Sequence, residues 1–362
     1  MKILLVGEFS GFHLNLKKGL EKLGHEVTLL SSGDGWKNIN SDTKIYSAIE
    51  AKPFNKVINI IRDYLIIKNY KNYDVVQFMQ PLLFSQKLGL NKYLINKLIE
   101  NNKKSFLIAA GSDSMYWKNY KTKFRYSPHH DMKYIDNKGK ESMYEKDEIY
   151  DYNVYLAKKV DGIIPIMYDY DIGYIDFKNK KKVIPLPMDL DTIEYQENMI
   201  KDKIVIFHGL NREGFKGTAH IKKAMERIKE NYSDLVEIII DGKMPLNEYI
   251  QLMKRTNIVI DQANSYSYGV NAVIAMAMGK IILSGCEQET LDTFGIKSSP
   301  IINILPDEDD IYQKLELLIE NKDKFITYGK ESREYVSLLH DYELIAHKFL
   351  STWEESHDQL NK

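Results

Sequence analysis

The sequence is short of most features that would take a chain out of the ordinary globular class. Its one cysteine, Cys286, excludes a disulfide framework and a cysteine-rich zinc or iron–sulfur site. No apolar run approaches about 18 residues, so nothing reads as a membrane-spanning helix. Glu8 interrupts the opening apolar stretch too early for a signal-peptide core. Charge of either sign is not in excess: 50 Lys+Arg stand against 51 Asp+Glu, which excludes a generally basic nucleic-acid binder. The Gly-x-Gly-x-x-Gly fingerprint is missing after the first strand and at the start of the second half, which counts against a dinucleotide oxidoreductase.

What is present is 362 residues, 44% of them hydrophobic, enough for two domains of about 150–200 residues each. A reducing cytoplasm is the expected setting. The charge is uneven along the chain. Residues 1–200 carry 30 basic and 25 acidic side chains, residues 201–362 carry 20 and 26, and residues 1–150 carry 24 and 16. Two readings stay open: solvated lysines on helix faces, or a basic half that meets an anionic partner such as a bilayer surface.

Short Val/Ile runs alternate with helical patterns, which predicts parallel sheets covered on both faces. Expected strands in the first half are 2–6, 26–30, 75–78, 106–110, 162–166 and 182–184. Residues 54–67 have helix periodicity, with Phe54, Val57, Ile58, Ile61 and Leu65 read as a core-facing stripe rather than a membrane-surface one. Residues 116–155, rich in tyrosine and charge, read as an inserted excursion. Pro185 and Pro187, followed by Asp189 and Asp191, read as an interdomain linker. A second alternating set follows, with strands at 204–207, 236–240, 258–260, 281–283 and 301–304 and helices near 218–231, 246–255 and 269–278. The tail, 327–356, is expected to be helical with Leu338, Tyr342, Ile345, Phe349 and Trp353 on one stripe.

Two segments carry the chemistry. After the strand at 204–207 come His208, Gly209, Leu210, Asn211, Arg212, Glu213, Gly214, Phe215, Lys216, Gly217 and Thr218. Glycines let backbone N–H groups approach an anion, and Arg212 and Lys216 would neutralise it. The second is Asp261 to Val270, with Asn264, Ser267, Tyr268 and Gly269, leading into a helix that Ser267 is expected to cap. Two anion loops from one sheet with a cationic pair suit a nucleoside diphosphate. Tyr266 and Tyr268 read equally well as core aromatics. His129, His130 and Asp131 resemble a metal trio, but adjacent side chains seldom converge on one ion, and the expectation is no metal.

Asp261-Gln262, Tyr268-Gly269-Val270, Ala275 to Lys280, the Arg212/Lys216 loop, Val183-Ile184-Pro185 with Asp189, and the opening Val6-Gly7 with Gly24 to Val27 together resemble glycosyltransferases of the GT-B fold, in the broad family 4 and family 1 groups. The resemblance implies two doubly wound Rossmann-like domains facing across a cleft. It implies an acceptor-side domain at 1–186, a donor domain at 187–340, and a final helix, 341–362, crossing back. The implied activity moves a sugar from a nucleotide-sugar donor to a lipid-linked or surface glycan, retaining and metal-independent, with no cofactor. On that reading Asp113, Arg212 and Lys216 are catalytic. Gly209, Asn264, Ser267, Tyr268, Gly269, Val270 and Glu287 join Arg212 and Lys216 around the donor. Gly7, Phe12, His13 and Asp113 face the acceptor. The expected place is the cytoplasm, with an anionic membrane face as a further partner. Three positions depart from the group: Tyr266 and Ile274 stand where it carries glutamates, and Ala110 where it carries histidine. Glu287 or Glu289 would have to hold the ribose instead. A non-catalytic subunit that binds nucleotide sugars or glycans is the alternative.

Overall fold

The computed structural model describes residues 1–45, 56–111, 113–129, 143–210, 214–242, 244 and 246–355. It divides into two compact units. The first comprises Met1–Lys118, Met143–Asp189 and Tyr342–Lys362, the second Asn119–Ser142 and Leu190–Asp341.

The first unit is built on a six-stranded sheet in the order β3-β2-β1-β4-β5-β6. Its strands are β1 (Lys2–Val6), β2 (Glu26–Ser31), β3 (Thr43–Lys44), β4 (Val75–Phe78), β5 (Lys104–Ala109) and β6 (Gly162–Pro165). Every pairing is parallel. Parallel strands need crossover connections, and helices α1 (Phe12–Lys22), α2 (Lys56–Ile67), α3 (Leu90–Glu100), α4 (Ser114–Lys123) and α5 (Asp147–Lys159) lie in them; the short α6 (Tyr168–Asp171) follows β6. β1 lies between β2 and β4, so the chain reverses direction across the sheet there. That reversal opens a crevice at the carboxyl ends of β1 and β4.

The second unit carries a five-stranded parallel sheet in the order β11-β10-β9-β7-β8. The strands are β7 (Ile204–Gly209), β8 (Val236–Asp241), β9 (Ile258–Ile260), β10 (Ile281–Ser284) and β11 (Ile302–Asn303). Its helices are α7 (Thr218–Asn231), α8 (Leu246–Arg255), α9 (Val270–Ala277), α10 (Gln288–Phe294), α11 (Glu308–Glu320) and α12 (Phe325–Leu339). Ile204, Ile206, Ile258, Ile260, Ile281 and Leu283 are almost wholly buried, the pattern of a sheet covered on both faces. Here the reversal lies between β7 and β9, and the crevice lies beyond their carboxyl ends.

The expected parallel α/β architecture holds in both halves. The departures have local causes. Residues 182–184 form no ladder strand: Lys181 donates to the Ile163 carbonyl and Ile184 to the Pro165 carbonyl, and Pro185 and Pro187 then remove the donors a strand needs. The two-residue β3 has no periodicity to reveal it. In α2, Ile61 and Leu65 are exposed, whereas Asp63 and Ile67 are buried, so the apolar stripe does not face the core as expected; the side chains of Phe54, Val57 and Ile58 lie outside the described residues. The tail breaks at His340 and Asp341. Leu338 is on the solvent side of α12, while Tyr342, Ile345, Phe349 and Trp353 form the buried face of α13 (Tyr342–Glu355). Residues 119–129 group with the second unit.

Within the first unit α13 lies against α1. The Trp353 indole donates to Gln77 Oε1 on β4 at 3.2 Å, Lys104 reaches the Trp353 carbonyl at 2.5 Å, and Tyr342 donates its N–H to the Met188 carbonyl at 3.1 Å. Gly19 permits the approach: a β-carbon there would stand 2.4 Å from the Tyr342 carbonyl oxygen. A glycine-to-alanine change inside a helix ordinarily stabilises by about 0.5–1 kcal/mol. Gly19→Ala should instead destabilise by about 1–3 kcal/mol, because the obstacle is backbone and α13 has to shift. Urea denaturation of the full chain measures the sign, and a stabilised variant would contradict this packing.

Candidate functional site

The crevice of the second unit is assembled from the two chemistry-bearing segments, one after β7 and one after β9. Lys216, in the loop after β7, donates from Nζ to Asp261 Oδ1 at 2.7 Å; Asp261 follows β9. The other carboxylate oxygen, Oδ2, accepts the Gly269 N–H at 3.0 Å, immediately before α9. Asn271 on the first turn of α9 comes within 3.5 Å of Oδ1. One buried carboxylate therefore ties the basic loop to the start of the helix. Burial pushes the Asp261 carboxyl up. The Lys216 charge, the Lys216 hydrogen bond and the Gly269 N–H outweigh that effect and hold it below the usual carboxylate range.

The loop geometry follows from glycine and from backbone bonding. Gly217 has φ of +74°, and a β-carbon on it would meet the Ala263 and Asn264 side chains at 3.2 Å. Ala263 donates its N–H to the Lys216 carbonyl, and Asn264 Nδ2 donates to the Gly214 carbonyl at 3.0 Å. His208, at the end of β7, is fully buried. Its Nδ1 meets the Ile260 carbonyl at 2.8 Å and its Nε2 meets the Thr218 hydroxyl at 2.9 Å. A carbonyl only accepts, so Nδ1 carries the proton and Nε2 accepts from Thr218. Burial first, and the Lys216 charge second, lower the His208 pKa to about 4, so the ring is neutral at physiological pH.

The expected donor residues divide. Lys216, Gly269 and Val270 are partly exposed around the carboxylate, and Gly209 ends β7 beside them. Arg212 lies outside the described residues, as do Asn211, Glu213, Ser112, His130 and Asp131. Asn264 is buried and braces the loop. Ser267 does not cap α9: its hydroxyl meets the Thr290 hydroxyl at 2.8 Å, and the residue at the cap position is Gly269. Tyr268 is in the interior, its hydroxyl 2.8 Å from both the Tyr335 hydroxyl and His340 Nε2.

Glu287 begins α10, and its carboxylate is already engaged. It accepts from the Tyr126 hydroxyl and pairs with Arg125 at 3.2 Å, while Glu289 pairs with the same guanidinium at 2.6 Å. Arg125 also lies over the Tyr266 ring at 4.7 Å and donates its backbone N–H to the Tyr266 hydroxyl at 2.7 Å. Phe124 packs edge-on against the Tyr266 ring and Tyr126 stacks on it, at 5.2 and 5.0 Å between centroids. Tyr266, which stands where the resembled group has a glutamate, is thus the anchor for residues 124–126. Nothing local in the sequence signals a contact between positions separated by about 140–160 residues, and these residues were not among the expected site.

In the first unit, Gly7 follows β1 with φ of +91°, and His13 on α1 donates from Nδ1 to its carbonyl at 2.7 Å. Gln77 on β4 donates from Nε2 to His13 Nε2 at 3.1 Å. Burial lowers the His13 pKa to about 4, so this ring too is neutral and supports backbone. Phe12 is buried against Phe349, with centroids 6.1 Å apart. Asp113 stands before α4 with both oxygens occupied, Oδ1 by the Tyr116 N–H at 2.9 Å and Oδ2 by the Tyr174 hydroxyl at 2.5 Å. Burial raises its pKa.

Glu8 was not expected as a site residue. It is buried at the carboxyl end of β1, and its Oε2 accepts the Leu14 N–H at 2.8 Å while Oε1 has no partner among the described residues. Burial, opposed by the Leu14 N–H and aided by the nearby Asp34 charge, pushes its pKa up to about 7. A raised folded-state pKa means the folded chain holds the proton longer than the unfolded one. The stability contribution of Glu8 is therefore fully present below about pH 4.5 and lost as pH rises through about 7. Relative to the parent, Glu8→Gln should be close to neutral near pH 4 and more stable near pH 8, by about 3 kcal/mol at most. Denaturation of both proteins across this range reads the difference, and a constant offset would refute the assignment.

No protein-family model matches the chain, and no curated protein matches it in sequence. Solved structures do. HepE of Anabaena, in complex with UDP-glucose, is similar over 98% of this chain and 100% of its own, with a TM-score of 0.63 and 13% identity. A glycosyltransferase from Rickettsia africae is similar over 99% and 98%, with a TM-score of 0.57 and 15% identity. The UDP-GlcNAc 2-epimerase of Neisseria meningitidis, bound to UDP-GlcNAc, is similar over 98% and 100%, with a TM-score of 0.53 and 10% identity. At such identities the likeness establishes the fold: the chain has the two parallel α/β sheets of GT-B proteins along its whole described length.

Proposed function

We propose that the protein transfers a sugar from a nucleoside-diphosphate sugar to a glycan acceptor. The observation that carries this reading is the Lys216–Asp261–Gly269 constellation at the reversal of the second sheet, in a fold shared with a protein bound to UDP-glucose. Transfer breaks the bond between the anomeric carbon and the distal phosphate oxygen and forms one to an acceptor hydroxyl, which loses its proton. Negative charge grows on the departing diphosphate. The Lys216 ammonium has three N–H donors and directs one at Asp261 Oδ1, leaving two for phosphate oxygens. Arg212 and the first N–H groups of α9 would add to this stabilisation. These groups supply the charge a divalent ion would otherwise bring, so the proposal includes metal independence, no cofactor and, from the resemblance, retention at the anomeric carbon.

The first unit is proposed to take the acceptor near Gly7, Phe12 and His13. Asp113, with both oxygens engaged, would act there by fixing the start of α4. A lipid-linked or surface glycan as acceptor, work at the inner face of an anionic membrane, and a cytoplasmic setting belong to the same proposal. The support is the excess of 24 basic over 16 acidic residues in positions 1–150. Among the described residues no helix is long and apolar enough to cross a membrane. Salt-sensitive co-sedimentation with anionic vesicles is the expected result, and equal recovery with neutral vesicles at low salt would remove this part.

One observation favours a second reading, a non-catalytic subunit that binds nucleotide sugars. Glu287 and Glu289, the carboxylates expected to stand in for the missing glutamates, are already engaged, Glu287 by Arg125 and Tyr126 and Glu289 by Arg125. Incubation with a panel of nucleotide sugars separates the readings. Released nucleoside diphosphate supports transfer. A sugar isomerised while still on its nucleotide points to epimerase chemistry, and binding with neither outcome makes the subunit reading correct.

Lys216→Ala should weaken nucleoside-diphosphate binding by about 1.5–3 kcal/mol, or roughly ten- to hundred-fold, as loss of a charge-assisted phosphate contact does. It should depress turnover at least as far, since the charge it meets grows in the transition state. Titration calorimetry with UDP measures the first effect, and parental affinity in the variant would place the donor elsewhere.

A further inference from the structure

At the opposite end of the second sheet, where β7, β8, β9 and β10 begin, a cavity of about 850 Å3 opens among the strand starts. It is lined by residues 196–199 and 201–203 before β7, 236–238 on β8, 254–257 before β9, and Lys280 before β10. Ligands of open parallel sheets ordinarily bind beyond the carboxyl ends, about 20 Å from here at the rise of a six-residue strand. This cavity is therefore a separate place from the Lys216 crevice. Its volume is within the range of small-molecule sites.

Its lining carries more positive charge than its own carboxylates neutralise. Arg255 is paired with Glu237 at 2.7 Å, Lys254 reaches Glu194 at 3.5 Å, and Lys203 donates to the Ser233 carbonyl at 2.8 Å. Lys201, Lys203, Lys229 and Lys280 have no carboxylate partner among the described residues; of the lining acids Glu197 is paired outside the cavity with Lys330 at 3.6 Å, which leaves Asp202. Lys280 is the anomaly. It is 2% exposed, yet among the described residues its ammonium has a single hydrogen-bond partner, the Lys254 carbonyl at 3.4 Å. A buried ammonium without an anion is costly, and an exposed lysine would have no such constraint. Burial, with the Lys201 charge adding to it, lowers the Lys280 pKa to about 8.

We infer that this cavity is a binding site for a phosphate-bearing anion, with Lys280 at its floor and Lys201 and Lys229 at its rim. A phosphate group gives the Lys280 ammonium the acceptors it lacks and answers the charge of Lys201 and Lys229 together with it. The concave shape fits a soluble phosphate ester or diphosphate, and the same chemistry exists in a phospholipid headgroup. The inference does not depend on the glycosyltransferase reading, because it uses none of the residues of the β7–β9 crevice.

The test is local. The full-length chain is pulse-labelled with acetic anhydride near neutral pH, at fixed ionic strength, and acetylation of each lysine is read by mass spectrometry. Three conditions are compared: no addition, inorganic pyrophosphate, and vesicles containing phosphatidic acid. Lys201 and Lys229 are exposed, so each is labelled readily when free and several-fold more slowly when its ammonium is held by an anion. Protection of both by pyrophosphate supports a soluble ligand, and protection by vesicles alone assigns the site to a lipid headgroup. Lys280, almost wholly buried, is tested by substitution: in Lys280→Gln the protection of Lys201 and Lys229 should be lost and binding of the same probe by calorimetry should fall. Pyrophosphate taken up at the Lys216 crevice would protect Lys216 instead and leave Lys201 and Lys229 unchanged. Lys201 and Lys229 labelled at one rate in all three conditions overturn the inference.

Discussion

The second unit depends on one buried carboxylate. Reversal of the chain between β7 and β9 creates a crevice, but a crevice in a parallel sheet is lined by strand ends whose loops have no partner of their own. Asp261 supplies one. Its two oxygens take the Lys216 ammonium and the Gly269 N–H, so the loop after β7, the end of β9 and the first turn of α9 are held by a single group. Removing its charge would leave the Lys216 ammonium without its anion and weaken the tie to the Gly269 N–H. The same arrangement keeps a cation in place before any ligand arrives, which is what preorganised electrostatic stabilisation requires.

A parallel logic recurs in each sheet. His208 and His13 are both fully buried, both neutral, and both donate from Nδ1 to a backbone carbonyl at the end of a strand beside the reversal. Neither is placed as an acid or base. Each fixes backbone at the crevice, and in the first unit the chain continues through Gln77 to the Trp353 indole on α13. The final helix is thus bonded through side chains to the carboxyl-end region of β1 and β4.

Much of this was legible because burial on both faces leaves continuous Ile/Val/Leu runs, as in β1, β7 and β10, and the helix at 218–231 follows from clean periodicity and a glycine before it. Lys216 stood out because a lysine among glycines after a strand has few structural uses. What escaped detection rests on long-range contact. Tyr268 is as compatible with a ligand as with a core until Tyr335 and His340 are seen beside it. The engagement of Glu287 by Arg125 and Tyr126 joins positions that no local pattern connects. Glu8 looked like an interruption of an apolar run, and its raised pKa comes from burial that sequence does not display. Leu338 matched the spacing of the tail stripe, but the break at His340–Asp341 rotates the following helix to a different partner.

The central claim is that the Lys216 crevice holds a nucleoside diphosphate. A crystal structure of the full-length protein with UDP tests it most directly. The account predicts the diphosphate within hydrogen-bonding distance of Lys216 Nζ and of the first backbone N–H groups of α9, with the Lys216–Asp261 pair intact. UDP bound elsewhere on the second unit, or a crevice in which Lys216 faces only Asp261 at saturating UDP, would contradict it.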